Sequence, residues 1–295
     1  VPPFKLKRLL EEQKDRGSEP HQRLAWDALR KSLNGLVNKA TPANLRALLP
    51  ELFAENLVRG RGLLCRAILK SQVASPAFTP VYACLVAVVN TKLPEVGELL
   101  LRRCVAQLRR AYRRNDRPVC LGACRLLAHL VNQGVAHELV ALELLALLLD
   151  RPTDDSVELA VAFVKEAGQA LQELSPRGLH GVFERLRAVL HEGELGKRTQ
   201  FLIEGLFAAR KGGFSGHPRV APELDLVEEE DQVCHEIGLD DDIDPETRLD
   251  VFSFDENYLE HEEAYTHIRR EILGTEEEDG DDDDDGEGDE EGDGK

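Results

Sequence analysis

The run LVALELLALLL, Leu139 to Leu149, is apolar around almost the whole circumference of a helix. A helix tolerates that only when neighbours cover it on several sides, so the run is expected to be an inner helix of a helical stack. Outward from it, between about His21 and Lys211, apolar residues recur at helical spacing with breaks that suit paired helices. The pattern predicts ten helices in five antiparallel hairpins, at 21–56, 58–91, 94–133, 135–172 and 175–211. No alternating apolar and polar stretch is long enough to compete as strand. Thr41-Pro42, Ser75-Pro76 and Ser175-Pro176 each set a hydroxyl before a proline suited to a first helical turn, and are expected to start helices. The expected fold is all-α, a HEAT-like solenoid of about five hairpins, with ridges and inter-helix loops rather than an enclosed cleft.

Charge divides the chain unevenly. The formal net charge is −18, but residues 221–295 hold 33 acidic and 4 basic side chains, which leaves the first 220 residues at +11. A basic body suits RNA or an acidic protein. Expected divisions are an N-terminal extension over 1–20, the helical body over 21–211, and an acidic extension over 212–274. Within that extension Leu249 to Leu273 regains enough Phe, Tyr, Leu and Ile for a short docking helix. Residues 275–295 carry no apolar side chain and are expected to form a disordered acidic linker. No run of 18 uncharged apolar residues occurs and Val1 to Leu10 lacks a signal-peptide core, so the expectation is a soluble intracellular chain without membrane contact.

Signatures of chemistry are sparse. There is no GxxxxGK[ST], no GxGxxG after a strand and no HExxH, so no enzyme activity, cofactor or catalytic metal is expected. Cys65, Cys84, Cys104, Cys120, Cys124 and Cys234 include no CxxC pair, and most lie in apolar helical patterns as expected of free buried thiols. Cys120 and Cys124 share a helix face without a second ligand pair. Asp154 and Asp155 stand where a helix begins, which suits capping and the helix dipole better than acid–base work. Gly60-Arg61-Gly62 is expected to be a tight turn. Arg102, Arg103, Arg109, Arg110, Arg113 and Arg114 wrap one side of a helix, either as a solvated face or as a contact for RNA phosphates or an acidic partner. No aromatic interleaves them, which weakens the case for single-stranded nucleic acid. From Asn34 to Pro42 a glycine, amides and a cation run through what is expected to be the loop closing the first hairpin. Asn38 would cap a helix C-terminus in the left-handed region, with Lys39 complementing the dipole.

That last stretch resembles the Leu-Asn-Lys-Leu-Thr motif in the middle domain of translation initiation factor 4G, with Ala40 in place of the second leucine. The runs SLNGLVNK (32–39), ENLVRGRG (55–62), YRRND (112–116), RPTDDSVE (151–158), SPRG (175–178) and DLVEE (225–229) are similar to characteristic runs of the nucampholin-type pre-mRNA splicing factors. The resemblance spans about Val1 to Leu273. It implies a five-hairpin HEAT-like domain that binds a DEAD-box helicase of the initiation-factor-4A type, the helicase of the exon junction complex. In that family the helicase is held open and inactive until it is deposited on mRNA. Carried onto this sequence, Gly35, Asn38, Lys39 and Thr41 become the helicase contacts. Other spliceosomal proteins as partners and a nuclear location in spliceosomes and speckles follow from the same resemblance. The alternatives are an α-solenoid touching snRNA or pre-mRNA through the arginine face, and a cytoplasmic initiation-type factor.

Overall fold

The computed structural model describes residues 15–274, so the expected linker over 275–295 lies outside the described residues. Eleven α-helices occur among them: α1 (Glu19–Lys39), α2 (Leu45–Ala54), α3 (Arg61–Ala74), α4 (Thr79–Lys92), α5 (Pro94–Arg114), α6 (Arg117–Asn132), α7 (Glu138–Asp150), α8 (Asp154–Leu174), α9 (Pro176–Glu192), α10 (Lys197–Lys211) and α11 (Tyr258–Leu273). The first ten form the five expected hairpins. Second helices α4, α6, α8 and α10 stack in one row, and α1, α3 and α5 stack in another. Among the described residues the β-structure is limited to an isolated bridge between Ala136 and His235. None of these helices is long and apolar enough to cross a membrane.

Local sequence explains most of the punctuation, with three corrections. Pro176 does open α9, but Ser175 makes no side-chain cap, and Ser75 caps nothing either, since a 3-10 turn, Pro76–Phe78, precedes α4. Thr41 does bond the Asn44 amide through Oγ1 (3.3 Å) while its own amide donates to Asn44 Oδ1 (2.8 Å), yet α2 starts only at Leu45. The side chains that cap are Thr153, in a reciprocal box with Ser156, Asp116 and His137. Asp154 and Asp155 lie in the first turn of α8, and Asp154 also accepts from the Gly196 amide at 3.0 Å.

The second correction concerns α7. Leu144, Leu145, Leu148 and Leu149 are buried, but Leu139 and Leu147 are 41% and 43% exposed, so α7 is covered on one broad face and not all round. Periodicity could not reveal this because every face of the run is apolar.

The third concerns the acidic extension: the expected helix within Leu249 to Leu273 is present as α11, but the chain ahead of it, from Phe214 on, is packed against the solenoid as well. After α10, Phe214 inserts against Gly168, where a Cβ would overlap its ring. The chain then returns along the edge where successive hairpins join. Arg219 donates to Asn132 O (2.8 Å), Gln133 to Leu224 O (3.2 Å), Asn90 to Val233 O (2.6 Å) and the Leu239 amide to Glu143 (2.8 Å). The return ends on the first hairpin. Gln22 exchanges two hydrogen bonds with the backbone of Asp255 (2.8 and 3.0 Å), Tyr265 Oη donates to Phe53 O (3.0 Å), and Arg59 stacks over Tyr258 at 4.5 Å. Leu249 to Leu273 therefore folds back on the solenoid, and the belt ties hairpin five to hairpin one.

Candidate partner-binding edge

Helix α1 sorts its side chains cleanly. Leu29, Leu33, Leu36 and Val37 are buried, as is Ala40 just after the helix, which leaves half-buried Gly35 and exposed Asn38 and Lys39, spaced three and four residues apart, toward solvent. Asn38 and Lys39 are exposed and lie within the helix; the expected left-handed cap at Asn38 is wrong. The C-cap is Ala40, in extended conformation, with its amide donating to Val37 O at 3.3 Å. Lys39 does sit in the last turn, where its charge meets the negative helix end.

Two residues not singled out from sequence complete this edge. Ser71 of α3 donates to Asn38 Oδ1 at 2.8 Å, which fixes the amide with its Nδ2 group unbonded among the described residues. Asn44 Nδ2 donates to Lys39 O at 2.8 Å and, with Thr41, closes the loop. Beside Gly35 an added Cβ would meet nothing within 4 Å. The edge thus presents a cation, an amide donor and an open flank with no side chain. Such a surface can bond another protein and lets its backbone come close; it holds no nucleophile. Ser71 and Asn44 carried no sequence signal, since their roles come from contacts across loops.

The six arginines separate. Arg103, buried at 6% exposure, donates to Gly62 O (2.9 Å), Pro245 O (2.8 Å) and Glu246 O (3.0 Å) and pairs with Asp250 at 2.8 Å. Arg102 pairs with Glu98 at 2.5 Å and Glu246 at 3.8 Å, and Arg109 donates to Asp241 O at 2.6 Å. These three hold the belt, so the expected six-residue arginine face is corrected. The cause is the acidic extension, which takes the cations nearest to it. Arg110, Arg113 and Arg114 stay exposed, beside Asp242, Ile243 and Pro245 of the belt. The expected Gly60–Gly62 turn is corrected too: Arg61 and Gly62 open α3 behind Gly60 as its N-cap, and a Cβ on Gly62 would land on the Leu249 backbone.

Burial pushes the thiols of Cys65, Cys84 and Cys104 up to about 12, which makes them poor nucleophiles. Cys120 and Cys124 are buried as well, and Cys234 is exposed. Glu166 is held below the usual carboxylate range by His129, whose Nε2 lies 3.3 Å from it, and by Arg125 at 3.1 Å. Among the described residues no group of three His, Cys, Asp or Glu is placed to hold a metal.

A family model for the MIF4G domain fits residues 30–212. The chain belongs to the MIF4G domain family. Relatives of this MIF4G chain include the pre-mRNA-splicing factor CWC22 homolog of Mus musculus, 53% identical over 273 residues, 92% of this chain and 30% of the relative. The pre-mRNA-splicing factor cwc22 of Aspergillus fumigatus is 52% identical over 279 residues, 95% of this chain and 32% of the relative. The pre-mRNA-splicing factor cwf22 of Schizosaccharomyces pombe is 51% identical over 279 residues, again 95% and 32%. The chain spans about a third of the length of these curated relatives, and the similarity runs through the MIF4G hairpins and most of the belt.

Proposed function

We propose that this chain is a nuclear scaffold of the spliceosome that binds a DEAD-box helicase of the initiation-factor-4A type and acts without catalysis of its own. Gly35, Asn38, Lys39 and Thr41 form the centre of the contact. The observation that carries the reading is the open flank of Gly35 beside exposed Asn38 and Lys39, on the edge that the belt leaves uncovered. The relatives named as pre-mRNA-splicing factors support the setting. A rigid scaffold regulates a two-lobed helicase by binding its open arrangement better than its closed one, and the shift is limited to that difference in affinity. In this reading the helicase of the exon junction complex stays open on the scaffold until ATP and RNA close it on mRNA.

The test is a pull-down with purified helicases of this type, with and without a nonhydrolysable ATP analogue and RNA. Capture without nucleotide and release with both ligands is the expected result. Equal capture in both states refutes the open-state mechanism, and no capture in either refutes the helicase reading.

A further inference from the structure

The belt crosses one edge of the solenoid, and its Pro245, Thr247 and Asp250 close one end of a groove between α3 and α5. The two helices run parallel: Arg103 of α5 meets Gly62 at the start of α3, and Arg110 and Arg114 face Lys70 and Val73 near its end. The groove has a volume of about 600 Å³. The length of α5 from Arg103 to Arg114 is about 16 Å at the helical rise, or three turns of helix.

Its floor is aliphatic, made by Leu69, Val73, Ala106 and Ala111, with Val73 48% exposed. Its walls are basic. Arg66 and Lys70 rise from α3 and Arg110 and Arg114 from α5, and none of the four makes an ion pair or hydrogen bond among the described residues. The acids at its ends are occupied: Asp250 pairs with Arg103, and Asp116 accepts from the Val119 amide as the cap of α6. The groove is thus apolar below, positive along both sides, and open.

We propose that this groove docks an acidic amphipathic helix of a partner protein, about three turns long, with an apolar stripe on the floor and carboxylates toward both walls. Three observations favour this occupant. Unpaired cations on both walls match flanking carboxylates. The floor offers aliphatic area for i, i+3, i+4 anchors, and such helix-in-groove docking is a recurrent mode of recognition. It holds no aromatic on which a base could stack, and a nucleic-acid backbone would leave the apolar floor unused. The chain's own residues 275–295 are acidic but contain no apolar side chain, so they cannot fill the floor. The proposal stands apart from the helicase reading, although Ser71, which holds Asn38, sits between Lys70 and Val73.

A phage-displayed library of random peptides, long enough for four helical turns, is selected on the full chain at physiological salt, and enriched sequences are synthesised for fluorescence anisotropy. Enriched peptides are expected to carry Asp or Glu flanking apolar residues at three- and four-residue spacing. Arg110→Glu with Arg114→Glu, and separately Val73→Asp, should each weaken binding about tenfold or more while circular dichroism melting stays at the wild-type value. Helicase capture by the Arg110→Glu, Arg114→Glu variant should match wild type. The proposal is overturned if no such pattern is enriched, or if either variant binds the peptides as wild type does. It is overturned too if a labelled oligouridylate binds more tightly than the peptides with the same charge dependence. Loss of helicase capture in the arginine variant would merge the groove with the helicase site and end the case for a separate partner. A tenfold gain in peptide affinity on deleting residues 275–295 would make the chain's own tail the occupant.

Discussion

Gly35→Ala is expected to stabilise the protein, and Gly35→Tyr is expected to abolish helicase binding without unfolding it. Gly35 lies inside α1, four residues before its end at Lys39, so its backbone is already helical. Glycine in a helix interior costs about 0.5–1 kcal/mol relative to alanine, because the unfolded chain has more freedom to lose. An alanine Cβ meets nothing within 4 Å, so no steric term opposes that gain. The expected change is therefore a stabilisation of about 0.5–1 kcal/mol, a rise in melting temperature of roughly 1–4 °C for a domain of this size. Tyrosine meets the same open flank and should leave stability within about 0.5 kcal/mol of wild type, as exposed substitutions usually do. On the binding side it would fill the gap and weaken helicase affinity at least tenfold, about 1.4 kcal/mol. Urea unfolding measures the first effect and titration calorimetry with the helicase the second. A Gly35→Ala loss of more than about 0.5 kcal/mol would refute the open flank; a Gly35→Tyr variant that binds normally would refute the interface.

Asn38→Asp with Lys39→Glu reverses the charge of the edge and should abolish helicase capture at unchanged melting temperature; unchanged affinity by calorimetry removes the loop from the interface. Arg103→Met leaves three backbone carbonyls and Asp250 without their donor. Losing one member of a buried pair costs about 3–5 kcal/mol, and hydrogen exchange should show the amides around 245–257 deprotected. A cost below about 1 kcal/mol would contradict the role of Arg103 as the buried anchor of the belt. Gly62→Ala should detach the same segment by overlap with the Leu249 backbone, at about 1–3 kcal/mol, and normal exchange there would count against it. His261 has its pKa raised above the ordinary 6.5, chiefly by its hydrogen bond to Asp255. Its contribution to holding α11 is fully present below pH 6.5 and fades as the pH rises through the raised value. An NMR titration should show that shift and its loss in Asp255→Asn; an identical pKa in both proteins would exclude the pair as the cause.

How far the site was legible depends on the range of the contacts that build it. Gly35, Asn38 and Lys39 could be picked out because they interrupt an apolar helical pattern and fall in a run similar to a known motif. Their place within the helix was misread, since an amide followed by lysine, alanine and Thr-Pro looks like a chain ending its helix at Asn38. The helix instead runs on to Lys39, whose carbonyl accepts from Asn44 Nδ2 across the loop. Arg102, Arg103 and Arg109 read as a free face because each is as polar as Arg110 and Arg114. Only the return of residues 241–250, over a hundred residues later in the chain, separates the anchors from the free cations.

Local sequence determined the helices, their pairing into hairpins and the sorting of α1 into a buried stripe and an open face. Those follow from 3.6-residue periodicity and prolines at helix starts, which act within a few residues. Tertiary structure alone decided that the acidic extension is a belt, that α7 keeps one apolar face in solvent, and that the cations of α3 and α5 share one groove. These depend on contacts between residues far apart in the chain, whose partners carry no periodic mark, and on burial, which assigns identical side chains to opposite roles.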